Sequence, residues 1–426
     1  MHGPVLDAAA LRRALALRDL TDPAQGPHAL QQLVEDASRA LVQAWGATVR
    51  ACRASPVVSA ADNYDRLHYP PDGAAREARY TRWSGPDTLL RTQTSAMVPP
   101  LLRALAAEHA APPDLVLVCP GLVYRRDAID RLHTGEPHQV DLWRLRAGAP
   151  LGSEDLVEMI GLVAGAVLPG RAWRASPARH PYTTGGLQID VADGARWVEV
   201  GECGLALPAL LSESGLDQRR WTGLAMGLGL DRLLMLRKGL DDIRLLRAAD
   251  PRVAAQMLDL ARYRPVSTRP AVRRDLSIAV EEDATAEELG DRVRAALGDE
   301  RAACVEAVEL LSETPRAALP EAAAVRLGIG AGQKNVLVRL VLRDLSRTLT
   351  HDDANALRDA VYAALHRGRA HQWAGRRSPP RGDSEEVNLS PKSKATPSAC
   401  LDSFGAVDPF VGATPAARPD WTFFAG

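Results

Sequence analysis

The stretch LQIDVADGARWVEV, from Leu187 to Val200, admits few folds. Apolar and polar residues alternate on both sides of Asp193-Gly194, which is the period of a strand joined by a tight hairpin dipeptide. An antiparallel sheet is therefore expected, because parallel strands would need long crossovers between them. Further β-type runs, such as DLVLVCPGLVYR at Asp114–Arg125, lie between turns and helices from about residue 47 to 262. The chain reads as an α+β protein.

Two regions flank this one. HALQQLVEDASRALVQAW carries apolar residues at helical spacing and DPAQGP precedes it as a break, so residues 1–46 are expected to form a segment of two helices. After the linker YRPVSTRP, RRDLSIAVEEDATAEELGDRVRAAL reads as strand then helix, and VEAVELLSE and NVLVRLVLRD read as strands. THDDANALRDAVYAALH reads as a helix with a threonine cap and acids in its first turn. Residues 268–368 are thus expected to be a small α/β sandwich. From 370 to 426 the chain is rich in Pro, Ser and charge, and disorder is expected there.

A formal net charge of −1 argues against a broadly basic surface, so any RNA contact must be a local patch and no DNA partner is expected. The five cysteines are scattered without a C-x-x-C pair, which argues against a zinc site or a disulfide framework. No run of ~18 apolar residues and no signal-peptide pattern is present, so a cytoplasmic protein with no membrane partner is expected.

The chemistry concentrates in TGLAMGLGLDRLLMLRKGLDDIR, Thr222–Arg244, where Arg232 interrupts an apolar helix pattern behind Gly227 and Gly229. A buried guanidinium needs an anionic partner. Either Arg232 pairs internally with Glu199 or Glu202, or it meets a polyphosphate over a glycine floor. The G-x-G lacks the third glycine and the βαβ setting of a dinucleotide fingerprint. A second segment, GLVYRRDAIDRLHTGEPHQVDLW, offers Arg125, an acid two residues on at Asp127, a loop, and then HQVD.

Together the two segments resemble the second and third signature motifs of class II aminoacyl-tRNA synthetases, with the phenylalanyl enzymes as the closest likeness. LLRTQTS at Leu89–Ser95 is similar to the family's LLRTHTS, and HPYT at His180–Thr183 stands where the family has FPFT. WVEVGECGLALPALL resembles the segment before the third motif, and RPAVRRDLSIAV resembles a ferredoxin-like anticodon-binding domain. The layout is similar to compact single-chain enzymes with N-terminal helices added. The resemblance implies a class II core over 47–262, ATP and Mg2+ as cofactors, and an amino acid and a tRNA as substrates, in a monomer or homodimer.

Residue by residue, it implies that Arg125 holds the α-phosphate, Asp127 the adenine edge, and Arg232 the γ-phosphate. Glu199 and Glu202 would hold magnesium. Gln139 and Asp141 would meet the substrate amino group, with Gln93, Ser95, His180 and Tyr182 beside the amino acid. Four positions depart from the family: His180 and Tyr182 replace phenylalanines, Thr184 a glutamate and Gln93 a histidine. An apolar slot has thereby gained polar groups, which disfavour a bare hydrocarbon ring.

Residues 262–370 hold 17 basic and 17 acidic side chains. A tRNA face there would draw on Arg269, Arg273, Arg274, Arg339, Arg343 and Arg347, with Tyr263 for stacking. Three readings stay open: an aminoacyl-tRNA ligase, phenylalanine first; a paralogue loading another acceptor; and a silent RNA-binding or regulatory module.

Overall fold

The computed structural model describes residues 5–73, 76, 81–126, 130–266 and 269–370. The expected disordered tail beyond 370 lies outside the described residues. Helices α1 (Ala8–Ala16) and α2 (Ala29–Trp45) start the chain, capped by Asp7 and His28 and with Gly46 left-handed at the end of α2. In α2, Leu30, Leu33, Ala37 and Leu41 recur every three or four residues and are all buried. That stripe makes the helix part of a core.

The main sheet is built from β1 (Thr48–Ala51), β4 (Asp114–Leu122), β5 (His138–Ala147), β6 (Trp173–Pro177), β7 (Thr183–Asp193), β8 (Arg196–Ala206) and β9 (Trp221–Gly229). A separate two-stranded pair, β2 (Val57–Ser59) and β3 (Thr88–Leu90), lies between β1 and β4 in sequence. The order across the large sheet is β1-β4-β5-β9-β8-β7-β6. All its pairings are antiparallel except β1 with β4, which run parallel and which the sequence pattern did not announce. The hairpin of β7 and β8 turns at Asp193-Gly194, with Gly194 at φ +62°.

The intervening helices are α3 (Ala60–Asn63), α4 (Val98–Ala106), α5 (Ser153–Val167), α6 (Pro208–Glu213), α7 (Leu230–Lys238) and α8 (Pro251–Ala254). Alternation along the strands splits their side chains between two faces. Val140, Leu142, Met226, Leu228 and Val200 pack with α2, α5 and α7 on one face. Leu117, Trp143, Leu145 and Ala225 pack with α4 and α6 on the other, covering only one end of it. The uncovered end carries the polar residues described below.

The second unit comprises β10 (Val272–Glu281), α9 (Ala286–Ala302), β11 (Val305–Pro315), α10 (Glu321–Leu327), β12 (Gln333–Leu342) and α11 (His351–Leu365). Its three strands are antiparallel in the order β10-β12-β11. Leu276, Ile278, Val280, Val336, Val338 and Leu340 face α9 and α11 to form a separate core. Both helices open on a capping box, Thr285 with Glu288 and Thr350 with Asp353. Replacing Thr285 with alanine is expected to cost ~1 kcal/mol, read as a lower urea midpoint at unchanged slope.

Ion pairs join the two units. Buried Glu306 lies within pairing distance of Arg131 (2.8 Å), Arg343 (2.6 Å) and Arg244 (3.5 Å). Asp291 on α9 meets Arg126 at 3.2 Å and Arg82 at 3.4 Å.

Candidate active site

The open end of the sheet forms a polar floor. Register places Cys119, Asp141, Gly227, Glu202 and Gln188 side by side on β4, β5, β9, β8 and β7. One step along, Gly121, Gln139 and Gly229 stand in line. A Cβ at Gly227 or Gly229 would meet its nearest neighbour only at 3.9 Å, so the protein's own packing does not demand glycine there. What their missing side chains leave is a flat surface on which a ligand can lie.

Glu199 and Glu202 are three residues apart on β8, a spacing that normally sends side chains to opposite faces. Here Ile189 pairs with Gly201 and Asp190 with Glu199, leaving Val200 as an extra residue. That bulge keeps Val198, Val200 and Cys203 against the core and turns both glutamates toward the polar face. Gly201 is needed at the bulge, because a Cβ there would fall 2.2 Å from the Gly227 carbonyl oxygen.

The two arginines stand at the same end of the sheet. Beyond β4 the ladder continues through Val123 N to Pro137 O (2.9 Å) and Arg125 N to Gly135 O (2.8 Å), so Arg125 shares the side of Gly121 and Gln139. Its Nε donates to the Thr92 carbonyl at 2.8 Å, and Arg82 Nη2 donates to the Arg125 carbonyl at 2.9 Å. Arg232, in the first turn of α7 just after Gly229, donates from Nη1 to the Glu199 carbonyl at 3.0 Å. Each guanidinium is thus aimed by a backbone oxygen, and each is only half-buried. Asp127 lies outside the described residues.

The residues expected around the amino acid form a hydrogen-bonded wall. Asp141 is buried at 2% exposure and accepts from Thr94 Oγ1 (2.6 Å), Ser95 Oγ (2.9 Å) and Trp143 Nε1 (3.1 Å). Burial pushes its pKa up, against the three donors, which favour the charged form. Gln93 uses both ends internally, accepting from Tyr69 Oη (2.7 Å) and donating to the Asn63 carbonyl (3.1 Å). Gln93 thereby ties Tyr69 and Asn63 into the wall on which Ser95 also stands. Gln139, half-buried between Gly121 and Gly229, faces the open floor.

Tyr182 stacks on Trp143 with ring centroids 5.9 Å apart and tilts against Tyr69 and His180 at 6.3 and 6.2 Å. Burial raises the pKa of its hydroxyl. Thr184, one of the departures from the family, is exposed. His180, Tyr182, Thr183, Glu202, Cys203, Ala225 and Gly227 close together around a narrow, nearly filled recess. The sequence reading missed Thr94, Tyr69 and Trp143. Trp143 was within reach of it, two residues after Asp141 on a strand.

For a divalent cation, Glu199 and Glu202 supply two carboxylates on one face, but His180 Nε2 lies 2.6 Å from Glu202 Oε2. Among the described residues no group of three or more His, Cys, Asp or Glu is arranged to hold a metal. Such a pair suits a magnesium ion that takes its other ligands from water and phosphate.

The six arginines expected to form one RNA face do not share one. Arg273 and Arg339 lie on the open side of the second sheet, and Arg339 is engaged bidentately by Asp275 at 2.8 and 2.9 Å. Arg274 turns to Asn355 and His351, Arg347 to Asp344 and Asp353, Arg269 to Thr348 and Arg343 to Glu306. Strand parity and nearby acids divide them. Tyr263 is partly buried and packs against the main core.

Known proteins bear on this site. The family described as "tRNA synthetases class II core domain (F)" matches residues 18–257. A phenylalanine–tRNA ligase alpha subunit of Prochlorococcus marinus is 38% identical over 197 residues, covering 46% of this chain and 56% of that protein. The corresponding subunit of Gemmatimonas aurantiaca is 38% identical over 204 residues, covering 46% and 57%. The chain thus spans a little over half the length of these curated relatives. The solved pyrrolysyl-tRNA synthetase of Desulfitobacterium hafniense overlaps it at a TM-score of 0.42 and 20% identity, over 59% of this chain and 81% of that one, too loosely to inform function. With the family matched over more than half its length, from the end of α1 through α8, the chain belongs to the class II core domain (F) family of tRNA synthetases.

Proposed function

We propose that the chain activates an amino acid with ATP and passes the acyl group to a tRNA, as a phenylalanine–tRNA ligase-like enzyme. The carrying observation is that Arg125 and Arg232 stand at one end of a glycine-floored antiparallel face. Attack of a carboxylate on the α-phosphorus of ATP builds negative charge on phosphate oxygens, and fixed guanidiniums stabilise that charge. Arg125 takes the α-phosphate and Arg232 the γ-phosphate, a planar fork fitting either. Magnesium at Glu199 and Glu202 supplies further charge neutralisation when bound. Gln139 meets the substrate amino group, and Asp141 with Ser95 sets the wall behind it.

The unit from β10 to α11 is read as a ferredoxin-like anticodon-binding domain over 268–368, following a core over 47–262. On this reading the chain works as a single-chain monomer or homodimer. The test is amino-acid-dependent exchange of pyrophosphate into ATP by the purified chain, across all standard amino acids. Exchange with at least one is expected, and none with any would refute the reading. The dispersal of the six arginines favours a second reading, transfer to an acceptor other than tRNA, which would show exchange but leave bulk tRNA uncharged.

A further inference from the structure

Behind the glycine floor lies a buried polar chain. His138, the first residue of β5, takes the same side of the strand as Val140 and Leu142, opposite to Gln139. It is 1% exposed, and Asp231, in the first turn of α7, is 5% exposed. The Asp231 carboxylate accepts twice from this one residue, from His138 N at 2.6 Å and from His138 Nδ1 at 2.8 Å. Pairing between β5 and β9 stops at Gln139 and Gly229, so Asp231 satisfies the next backbone donor of β5 where the partner strand has ended.

The tautomer follows from the other side of the ring. Leu20 N approaches His138 Nε2 at 3.2 Å and Arg247 Nη2 approaches it at 3.0 Å, and both groups can only donate. Nε2 therefore carries the lone pair, and Nδ1 carries the proton that goes to Asp231 Oδ1. Arg247 in turn donates from Nη1 to the Arg18 carbonyl at 2.8 Å. The connection from α1 to α2, the start of β5, the start of α7 and the 3-10 turn Ile243–Arg247 thus converge on one imidazole.

The place of this chain in the sequence gives it a use. Gln139 follows His138 and Arg232 follows Asp231, so each member of the pair adjoins a residue directed at a substrate. Apolar side chains of equal volume would join β5 to α7 without fixing how they sit along each other, whereas two hydrogen bonds to one carboxylate fix it. Resting on the ligase reading above, we propose that His138 and Asp231 are positioning residues: they hold Gln139 and Arg232 in one frame, so that amino acid and ATP are bound at a set separation.

Two substitutions at one position separate this role from plain stability. His138→Asn keeps a donor where Nδ1–H stands and loses the acceptor for Leu20 and Arg247, and His138→Gln does the reverse. Each leaves part of the chain unpaired, so both variants are expected to melt below wild type. Pyrophosphate exchange by the full chain is then measured with L-phenylalanine, or with whichever standard amino acid the wild type activates fastest. H138Q is expected to raise KM at least ~5-fold for ATP and for the amino acid alike, with H138N within ~2-fold of wild type. KM does not depend on the folded fraction of a sample, so lost stability does not imitate this result. Should H138Q fail to fold, D231N, which turns an amide N–H toward one of the two His138 donors, carries the same expectation. Unchanged KM values, a shift confined to one substrate, or an equal shift in H138N overturns the proposal and leaves the ligase reading standing. No exchange by the wild type with any standard amino acid removes both.

Discussion

Arg125→Ala and Arg232→Ala are each expected to slow amino-acid-dependent pyrophosphate exchange by ~100- to 1,000-fold in kcat, the usual cost of removing one preorganised group from a developing oxyanion. The two positions offer no redundancy, because Gly121 and Gly229 set them on opposite sides of Gln139. Lysine should restore little. A point charge cannot both bond the aiming carbonyl, Thr92 O or Glu199 O, and present a second edge to phosphate. Circular dichroism and thermal melting should show folded variants, since each loses one half-exposed side chain. Exchange within threefold of wild type in either variant would remove that arginine from the chemistry.

Stability is expected to fall by about 3 kcal/mol as pH drops from 6.5 to 4, through His28 alone. This imidazole caps α2 by accepting from Leu30 N at 3.2 Å, while its other nitrogen lies 3.2 Å from the Leu246 carbonyl. The first contact needs an unprotonated Nδ1, and burial, the largest influence, lowers the pKa from 6.5 to about 4. The unfolded chain therefore binds a proton through this window while the folded chain does not. Stability is retained above 6.5, declines as pH falls, and the loss is complete near 4, at up to 1.36 kcal/mol per unit. Urea titrations at steps across the window measure it. His28→Asn keeps a capping acceptor without titrating and should flatten the profile by that amount. A variant profile parallel to wild type would show that other groups cause the loss.

How far the sequence carried depended on the range of the interaction. The β7–β8 hairpin was legible because period-two alternation and Asp193-Gly194 are local signals, and α11 because Thr350 and Asp353 sit three residues apart in one cap. Arg232 stood out as a charge inside an apolar helix pattern, Arg125 joined it through the resemblance, and strand register brings them to one end of the sheet. The engagement of Asp141 was not legible, since Thr94 and Ser95 reach it from more than forty residues away. Nor was the bulge at Val200, because pairing with β7 decides which residue is left over. The arginines of the second unit misled for a related reason: Arg273 and Arg274 are neighbours in sequence, and alternation sends them to opposite sides of the sheet.

Helix α2 has a practical consequence for anyone trimming the chain. Its apolar stripe closes the main core against α5 and α7, ahead of the first strand. A truncated version starting at Ala47 would strip a wall from the core domain and bare the hydrophobic flanks of two helices, inviting aggregation. The leading residues are masonry, and cuts intended to isolate the core domain belong upstream of α2.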